Sequence, residues 1–204
     1  MGTNCAPYLA NIFLHVYEYL FIAKCIEDGN DNIANALAGL FRYQDDCIVF
    51  DDDNVFADNI NNIYPSSMTL KCTNTSPAKC NYLDLTIRVY NGVFNFKSYD
   101  KRRDFSFEVV NYPNLSGNIP VKPSYGVFTS QLIRFCHINR TASYFAVDAK
   151  TLVKKLINQG FSNSMLKDKY FEFSHHYLTL WTKYGVDITT DKYIGSIFST
   201  MYKG

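Results

Sequence analysis

The first stretch of the chain has a helical pattern of apolar residues. These residues recur every three or four positions at Leu9, Phe13, Val16 and Leu20. The spacing predicts a helix over residues 8–28, with Pro7 in its first turn. Glu18 is the only charged residue before Lys24. Because so little of this helix is polar, we expect it to be buried on most sides.

Two short apolar stretches follow, separated by polar residues. Leu40–Tyr43 and residues 47–50 are rich in aromatic and β-branched side chains, a composition that predicts a pair of strands. Gln44, Asp45 and Asp46 lie between them. The pattern indicates a hairpin that carries two adjacent carboxylates at its tip.

A second β region is predicted from the alternation of apolar and polar residues. Residues 82–90 alternate along their whole length, which is typical of a half-buried strand. Asn91 and Gly92 form a strong two-residue turn signal, and residues 93–99 return as the partner strand. Residues 68–73 are a further candidate strand.

The C-terminal half is predicted to be helical. Residues 111–124 hold three prolines and Gly117 and are expected to be irregular. Helical stretches are predicted over residues 124–137, 148–159, 163–184 and 190–202. Since strands and helices occupy separate parts of the chain, we expect an α+β fold. The expected domains are residues 1–110 and a helical subdomain over residues 111–204.

Cysteine usage and hydropathy suggest where the protein works. The six cysteines form no C-x-x-C pair, which argues against a zinc site. No run of about 18 uncharged apolar residues suggests a membrane span, and the first residues lack the pattern of a secretory leader. We therefore expect an intracellular protein of the cytoplasm or nucleus, neither secreted nor associated with a membrane.

The net charge of +1 hides an asymmetry. Residues 1–96 carry 5 basic and 11 acidic residues, whereas residues 97–204 carry 15 basic and 8 acidic ones. This distribution suits metal binding in the first half and phosphate binding in the second. Taken alone, it is better explained by chance segregation of charges on a solvated surface.

Three segments of the chain occur in a recognisable order. They are MGTNCAPYLANIF at residues 1–13, YQDD at residues 43–46, and YLDL at residues 82–85, followed by a strand over residues 94–101. Together they resemble the reverse transcriptases of retroelements, above all those of Penelope-like and related non-LTR lineages. The first segment is similar to motif B and the second to the Tyr-x-Asp-Asp of motif C. The third is similar to the strands that lead into the primer grip.

This resemblance implies part of a right-hand polymerase palm, an antiparallel sheet with packed helices, followed by an α-helical thumb or connection. It implies RNA-directed DNA polymerase activity with an RNA template, a DNA primer and deoxynucleoside triphosphates. Asp45 and Asp46 correspond to the motif C carboxylates. They would serve as catalytic residues and ligands of two Mg²⁺ ions, for which Mn²⁺ is a possible substitute. An acidic hairpin turn on a solvated surface is the plain alternative for the same two residues.

The resemblance also implies residues of a nucleotide pocket, namely Gly2, Pro7, Asn11, Tyr43 and Gln44. Ala6 departs from the serine usual in motif B, which weakens any hydroxyl contact proposed there. Asn11 either contacts the substrate or supports the turn. The motif D lysine corresponds to Lys71 or to Lys79.

Basic residues after the second hairpin are candidates for contacts with nucleic-acid phosphates. They are Lys97, Lys101, Arg102, Arg103, Lys150 and Lys154. A solvated loop explains each of the first four at least as well, and an ordinary amphipathic helix explains Lys150 and Lys154 nearly as well.

The resemblance begins at motif B, whereas the family's motif A aspartate and fingers precede it. We therefore expect a fragment that lacks an N-terminal fingers and palm segment and is inactive alone. Two alternatives remain open: a non-catalytic nucleic-acid-binding remnant, and a palm of another polymerase family. Tyr43 weighs mildly against the latter, because RNA-dependent RNA polymerases usually have glycine at that place in the motif.

Overall fold

The computed structural model describes residues 4–50, 54–74, 76–107, 109 and 111–199. The chain divides into two compact units, Met1–Thr75 and Ser76–Gly204. Helices and small antiparallel sheets are both present, which confirms the α+β class. We describe each unit by itself.

The first unit combines three helices with one hairpin. Its elements are α1 (Ala6–Glu27), α2 (Asp31–Leu37), β1 (Leu40–Tyr43), β2 (Asp46–Val49) and α3 (Val55–Ile63). Apolar side chains from the helices form a small core that comprises Leu14, Leu37, Phe56, Ile63 and Tyr64. The inner face of the hairpin packs against this core through Leu40, Cys47 and Val49.

The hairpin forms where the sequence predicts it. Leu40 pairs with Val49 and Tyr43 with Asp46, so Gln44 and Asp45 make a two-residue turn. Gln44 adopts a left-handed conformation with φ of 54°. Two-residue hairpin turns require positive φ angles because only these match the twist of the flanking strands.

The expectation that α1 is buried on most sides is wrong. Only Leu14 and Cys25 are buried in this helix, and Leu14 belongs to the core of the unit. The opposite face leaves large apolar side chains exposed, namely Tyr8, Leu9, Ile12, Phe13, Val16, Tyr19, Leu20 and Ile26. By length and composition α1 could also cross a membrane, although such a helix is weak evidence for a span.

Residues 68–73, a candidate strand, form no regular element. Met68 and Leu70 nevertheless pack against the core, and Thr69 between them is exposed. The period of two that suggested a strand is therefore real, but no neighbouring strand within the described ranges pairs with this segment. The sequence did not predict α2, which is short and rich in Asn and Asp.

The second unit begins with a three-stranded antiparallel sheet in the order β3-β4-β5. The strands are β3 (Lys79–Tyr82), β4 (Leu85–Tyr90) and β5 (Val93–Ser98). The single strand expected over residues 82–90 begins later, because Leu83 takes a positive φ of 51° and turns the chain. The Asn91-Gly92 turn is confirmed, with φ of 50° and 72°.

Helices form the rest of the second unit. They are α4 (Val121–Ser124), α5 (Gly126–Ile138), α6 (Ala142–Asn158), α7 (Asn163–His176), α8 (Leu178–Trp181) and α9 (Asp191–Phe198). The core lies mainly between α5, α6 and α7, where Phe128, Phe145, Leu166 and Tyr170 are fully buried. The predicted helices are thus found, but α6 begins earlier and the long helix of residues 163–184 is broken at Tyr177.

The boundary between the two compact units falls between residues 75 and 76 of the chain, whereas the sequence suggests a boundary after residue 110. The difference has a physical cause, since β5 is joined to the helices of the second unit. The backbone N–H of Ser98 donates to the Asn139 side chain at 3.1 Å, and that of Arg140 donates to the carbonyl of Phe96 at 3.2 Å. These contacts make the three-stranded sheet part of the helical unit.

Candidate functional site

Asp45 and Asp46 lie at the tip of the first hairpin, and both are exposed. Asp45 lines a cavity of the first unit, together with Gln44, Arg42 and Cys47. Asp46 is the first residue of β2 and pairs with Tyr43, which is not among the cavity residues. The two adjacent carboxylates therefore differ in their surroundings, and Asp45 is the one that borders the cavity.

The cavity has a volume of about 670 Å³, which lies within the roughly 300–1,000 Å³ of small-molecule sites. It lies between the start of α1, the inner face of the hairpin and residues 68–70. Most of its lining is apolar, and Arg42, Gln44, Asp45 and Tyr64 supply polar groups. It has the mixture of apolar walls and a few polar groups that is typical of binding sites.

Hydrogen bonds of Asn11 join α1 to the hairpin turn. The side-chain oxygen of Asn11 accepts from Nη1 of Arg42 at 2.8 Å and from the backbone N–H of Gln44 at 3.3 Å. Nη2 of Arg42 also donates to the Asn11 carbonyl at 3.0 Å. Of the two roles considered for Asn11, the geometry matches support of the turn.

The guanidinium of Arg42 is also paired with Glu18. Its Nε lies 2.7 Å from Oε1 of Glu18, and the two side chains are only 9% and 11% exposed. The hydroxyl of Tyr64 donates to the same carboxylate at 2.6 Å. Burial alone would lower the pKa of Arg42, but the hydrogen bond and charge of Glu18 outweigh it and raise that pKa.

Two neighbouring groups are kept uncharged by the same surroundings. Burial, followed by the hydrogen bond to Glu18, raises the pKa of the Tyr64 hydroxyl. Burial and the negative charge of Glu18 raise the pKa of the Cys47 thiol. Glu18 and Arg42 thus form a largely buried ion pair, and Arg42 lines the cavity beside Asp45.

Mg²⁺ prefers oxygen ligands and is usually held by one or two carboxylates together with substrate phosphates and water. The carboxylates of Asp45 and Asp46 match this donor type, and both are accessible. Within the described ranges, no group of three or more His, Cys, Asp or Glu side chains forms a potential metal site. The fit is therefore partial: these two residues could contribute ligands, and further oxygens would have to come from elsewhere.

The predicted pocket residues have different positions. Pro7 and Gln44 line the cavity beside Asp45, whereas Tyr43 is 54% exposed and is not among the lining residues. Gly2 lies outside the described residues. The choice between Lys71 and Lys79 stays open, since the first is exposed in the segment after residue 70 and the second begins β3 in the other unit.

The predicted nucleic-acid contacts all belong to the second unit. Lys101, Arg103 and Lys154 are exposed, and Lys97, Arg102 and Lys150 are half-buried. Nε of Arg102 lies 2.6 Å from Asp100, and an Nη2–Oδ1 distance of 3.2 Å joins Arg103 to Asp148. Both arginines are therefore held by internal carboxylates while 34% and 45% of their side chains remain exposed.

Four basic side chains line one small cavity of this unit, of about 30 Å³: Arg102, Arg103, Arg134 and Lys155. Two carboxylates, Asp100 and Asp148, line it as well, so positive charge prevails. Burial opposes the charge of Asp100, but hydrogen bonds from Arg102 and the charges of Arg102 and Lys155 lower its pKa. We call the four basic residues the basic cluster.

Asp148 connects the sheet with the helices. Its carboxylate is buried and accepts hydrogen bonds from the Ser98 hydroxyl and from the Asn139 amide, the latter at 2.8 Å. Arg103 supplies a third contact. Since the first two donors are internal, Asp148 remains hydrogen-bonded even if Arg103 turns toward a ligand.

Several of these residues escaped the sequence analysis. Arg134 belongs to no motif, and both Arg134 and Asn139 come together with Asp148 only through folding. Glu18 had a detectable signal, because it is the one acidic residue within a long apolar stretch. Such a residue indicates an internal partner, but the sequence does not say that the partner is Arg42.

Comparisons of the chain with protein-family models, with curated proteins and with solved structures find no match.

Proposed function

We propose that this chain is the C-terminal part of a reverse transcriptase palm, followed by a helical thumb-like region. In the complete protein, Asp45 and Asp46 would bind Mg²⁺ during RNA-templated transfer of deoxynucleotides to a DNA primer. We expect residues 1–204 alone to be inactive, because none of the three segments resembles the motif A aspartate or the fingers that the family requires.

One observation carries the proposal. The two segments that resemble motifs B and C are about thirty residues apart, and Asn11 of the first is hydrogen-bonded to Arg42 and Gln44 around the second. As a result, the start of α1 and the Asp45 turn border one cavity. Nucleotide transfer needs carboxylates held rigidly beside a substrate pocket, and the hydrogen bonds of Asn11 supply such support.

The rim of the 670 Å³ cavity also suggests where a preceding segment would bind, next to the space left for the nucleotide. On one side is the hairpin with the inner-face residue Cys47, and on the other are Met68 and Leu70. The latter alternate like a strand but have no strand partner in the described part of the unit. An added segment bearing a carboxylate near Asp45 would complete the oxygen ligands that Mg²⁺ needs.

The decisive experiment is primer extension on an RNA template by the complete protein. We expect Asp45→Asn to abolish incorporation, because an amide is a poor substitute for a charged metal ligand. Asp58→Asn is the matched control, since Asp58 is an exposed acidic residue of α3 in the same unit and its loss should leave the rate unchanged. Full activity of Asp45→Asn would refute the assignment, as would robust extension by residues 1–204 alone.

The metal site can be tested on the chain itself. Mn²⁺ broadens the NMR signals of nuclei close to it, so titration should first broaden the backbone amides of residues 44–47. The broadening should disappear in Asp45→Asn and persist in Asp58→Asn. Broadening centred on other carboxylates would contradict the proposed site.

The basic cluster favours a second candidate, a non-catalytic module that binds nucleic acid. Each of the four basic side chains is paired with a carboxylate but remains 28–45% exposed, and basic side chains that contact nucleic-acid phosphates release counterions. Affinity for an RNA–DNA duplex should then fall steeply with added salt. Arg134→Gln should weaken binding to all sequences alike, whereas Arg88→Gln, an exposed arginine of β4, serves as control. Binding by the complete protein without any primer extension would favour this candidate over the polymerase.

A further inference from the structure

The exposed face of α1 has a regular spacing that its buried face does not explain. Apolar residues recur at intervals of three and four, namely at Leu9, Ile12, Val16, Tyr19, Ala23 and Ile26. This 3-4 repeat is the spacing by which two helices pack side chains into one another over several turns. We call these six residues the α1 seam.

The α1 seam is open to solvent along most of its length. Leu9, Ile12 and Tyr19 are about 60% exposed and Val16 is 46% exposed. Phe13 and Leu20, which flank the seam, are 51% and 59% exposed. Soluble monomeric proteins rarely expose contiguous apolar patches larger than a few hundred Å². Patches above that size commonly mark interaction surfaces.

We propose that two copies of this chain associate through the α1 seam. The proposal does not depend on the polymerase function. A two-fold dimer uses the same patch on both subunits, so the patch must be complementary to itself. A seam of alternating three- and four-residue spacing on a straight helix meets that requirement.

The charges of α1 favour a second copy over a different partner. Glu18, the one acidic residue between Leu9 and Ala23, lies on the opposite side and is paired with Arg42. The seam therefore contains no charged residue in this span. Selective pairing of unlike helices usually relies on complementary charges beside the seam, and the flanking residues within this span include no Asp, Glu, Lys or Arg: they are Phe13, His15, Leu20 and Ile22.

The area is sufficient for a stable dimer. Eight large apolar side chains of this face are each about half exposed. With aromatic side chains of about 150–250 Å² and somewhat smaller aliphatic ones, their burial removes roughly 600–800 Å² per subunit. Stable complexes commonly bury about 800 Å² per partner.

A lipid bilayer is a less suitable occupant. Helices that lie on membranes carry several Lys and Arg residues on their polar face, whereas Lys24 is the only one in α1. The face opposite the seam is also engaged by the protein core through Leu14, Tyr17 and Phe21. A helix held on one side by its own fold does not expose its whole circumference to lipid.

Sedimentation velocity of the 204-residue chain over a wide range of concentration tests the proposal. We expect a dimer that dissociates on dilution. Val16→Glu places two negative charges near the middle of the seam, and since like charges facing each other cost several kcal/mol, the dissociation constant should rise at least about a hundredfold. Val147→Glu is the matched control, because Val147 is 59% exposed on α6 and its replacement should leave the dimer intact.

A mixture of Val16→Glu and Val16→Lys separates seam pairing from unfolding. Each variant alone should be monomeric with an unchanged circular dichroism spectrum, and the mixture should restore the dimer because opposite charges then meet. A monomeric parent chain, a persistent dimer in Val16→Glu, or polydisperse aggregates would overturn the proposal. Flotation of a monomeric chain with phosphatidylcholine vesicles would overturn it in favour of a bilayer.

Discussion

The side-chain oxygen of Asn11 accepts a hydrogen bond from the backbone N–H of Gln44 at 3.3 Å. This contact joins two residues that are 33 positions apart in the sequence. It holds the turn that contains Asp45 against α1. Gln44 has a positive φ angle, a conformation that costs a non-glycine residue free energy unless its surroundings hold it. The hydrogen bond that Gln44 donates to Asn11 helps to stabilise this conformation.

Replacement of Asn11 by Ala should loosen the turn. The amide of Gln44 loses its acceptor and Arg42 loses one of its partners, so we expect the unit to lose about 1–3 kcal/mol of unfolding free energy. The amides of residues 43–46 should exchange with solvent faster in NMR. Asn35→Ala is the control, because Asn35 is exposed in α2 and should change neither quantity. Unchanged exchange at Gln44 would mean that the hydrogen bond does not support the turn.

The free energy of unfolding of the first unit should depend strongly on the ion pair between Glu18 and Arg42. Loss of either side chain alone leaves a poorly solvated charge behind, which typically costs about 3–5 kcal/mol in buried pairs. Arg42→Met and Glu18→Met should therefore each destabilise the unit strongly in urea unfolding.

The double variant Arg42→Met with Glu18→Met should recover most of that loss, since replacement of a buried pair by apolar residues is often neutral. Lys24→Met on the exposed part of the same helix is the control and should stay within about 0.5 kcal/mol of the parent. If the two single effects simply add in the double variant, the side chains do not interact.

Asp100 makes the stability of the second unit depend on pH. Its pKa in the folded chain is lowered from the ordinary value of 3.8. A carboxyl with a depressed pKa stabilises the fold fully above its unfolded-state value, and this contribution is lost as the pH falls through the folded-state pKa. The free energy of unfolding should therefore decline below about pH 3.8.

Urea unfolding at a series of pH values measures this dependence. Asp100→Asn should flatten the decline, because an amide has no proton to gain. Asp168→Asn, which removes an exposed carboxyl of α7, should leave the slope unchanged. An equally steep decline in Asp100→Asn would assign the effect to other carboxyls.

The cysteines should differ sharply in reactivity. All six lie in the described ranges and no disulfide joins any of them. Burial raises the pKa of the Cys136 thiol to about 11, whereas Cys72 is exposed. Because the thiolate is the reactive form, an alkylating reagent at neutral pH should modify Cys72 quickly and Cys136 only after unfolding. Peptide mapping by mass spectrometry after timed exposure follows both, and early labelling of Cys136 in the folded chain would contradict its burial.

The features that the sequence predicts well are local. The hairpin around Asp45 and the turn at Asn91 and Gly92 depend on residues close to them in the sequence. The turn residues and the alternation of apolar and polar positions are therefore enough to predict both. The helices of the second unit likewise follow from periodicity within each segment. Their ends were less predictable, because the start of α6 depends on the cap that Thr141 provides to Tyr144.

Features that depend on distant residues could not be predicted in this way. The burial of α1 was misjudged because periodicity gives the number of apolar faces and not whether a partner covers them. Met68 and Leu70 pack inward without a strand beside them, and the alternation ends there because Cys72 is exposed. The basic cluster needed Arg134 and Lys155 from two helices, and the sequence offers no motif that links them to Arg102.

The junction at Asp148 has a consequence for the order of folding. Its bonds to Ser98 and Arg103 join residues 50 and 45 positions apart, so they close long loops, and closing such loops slows folding. The strands β3 to β5 and the separate helices rely on nearer neighbours and can form earlier. During synthesis on a ribosome, β5 would emerge well before α6, and its outer side would stay uncovered until residue 148 has left the exit tunnel. That interval is the stage at which the nascent chain is most exposed to mispairing with other strands.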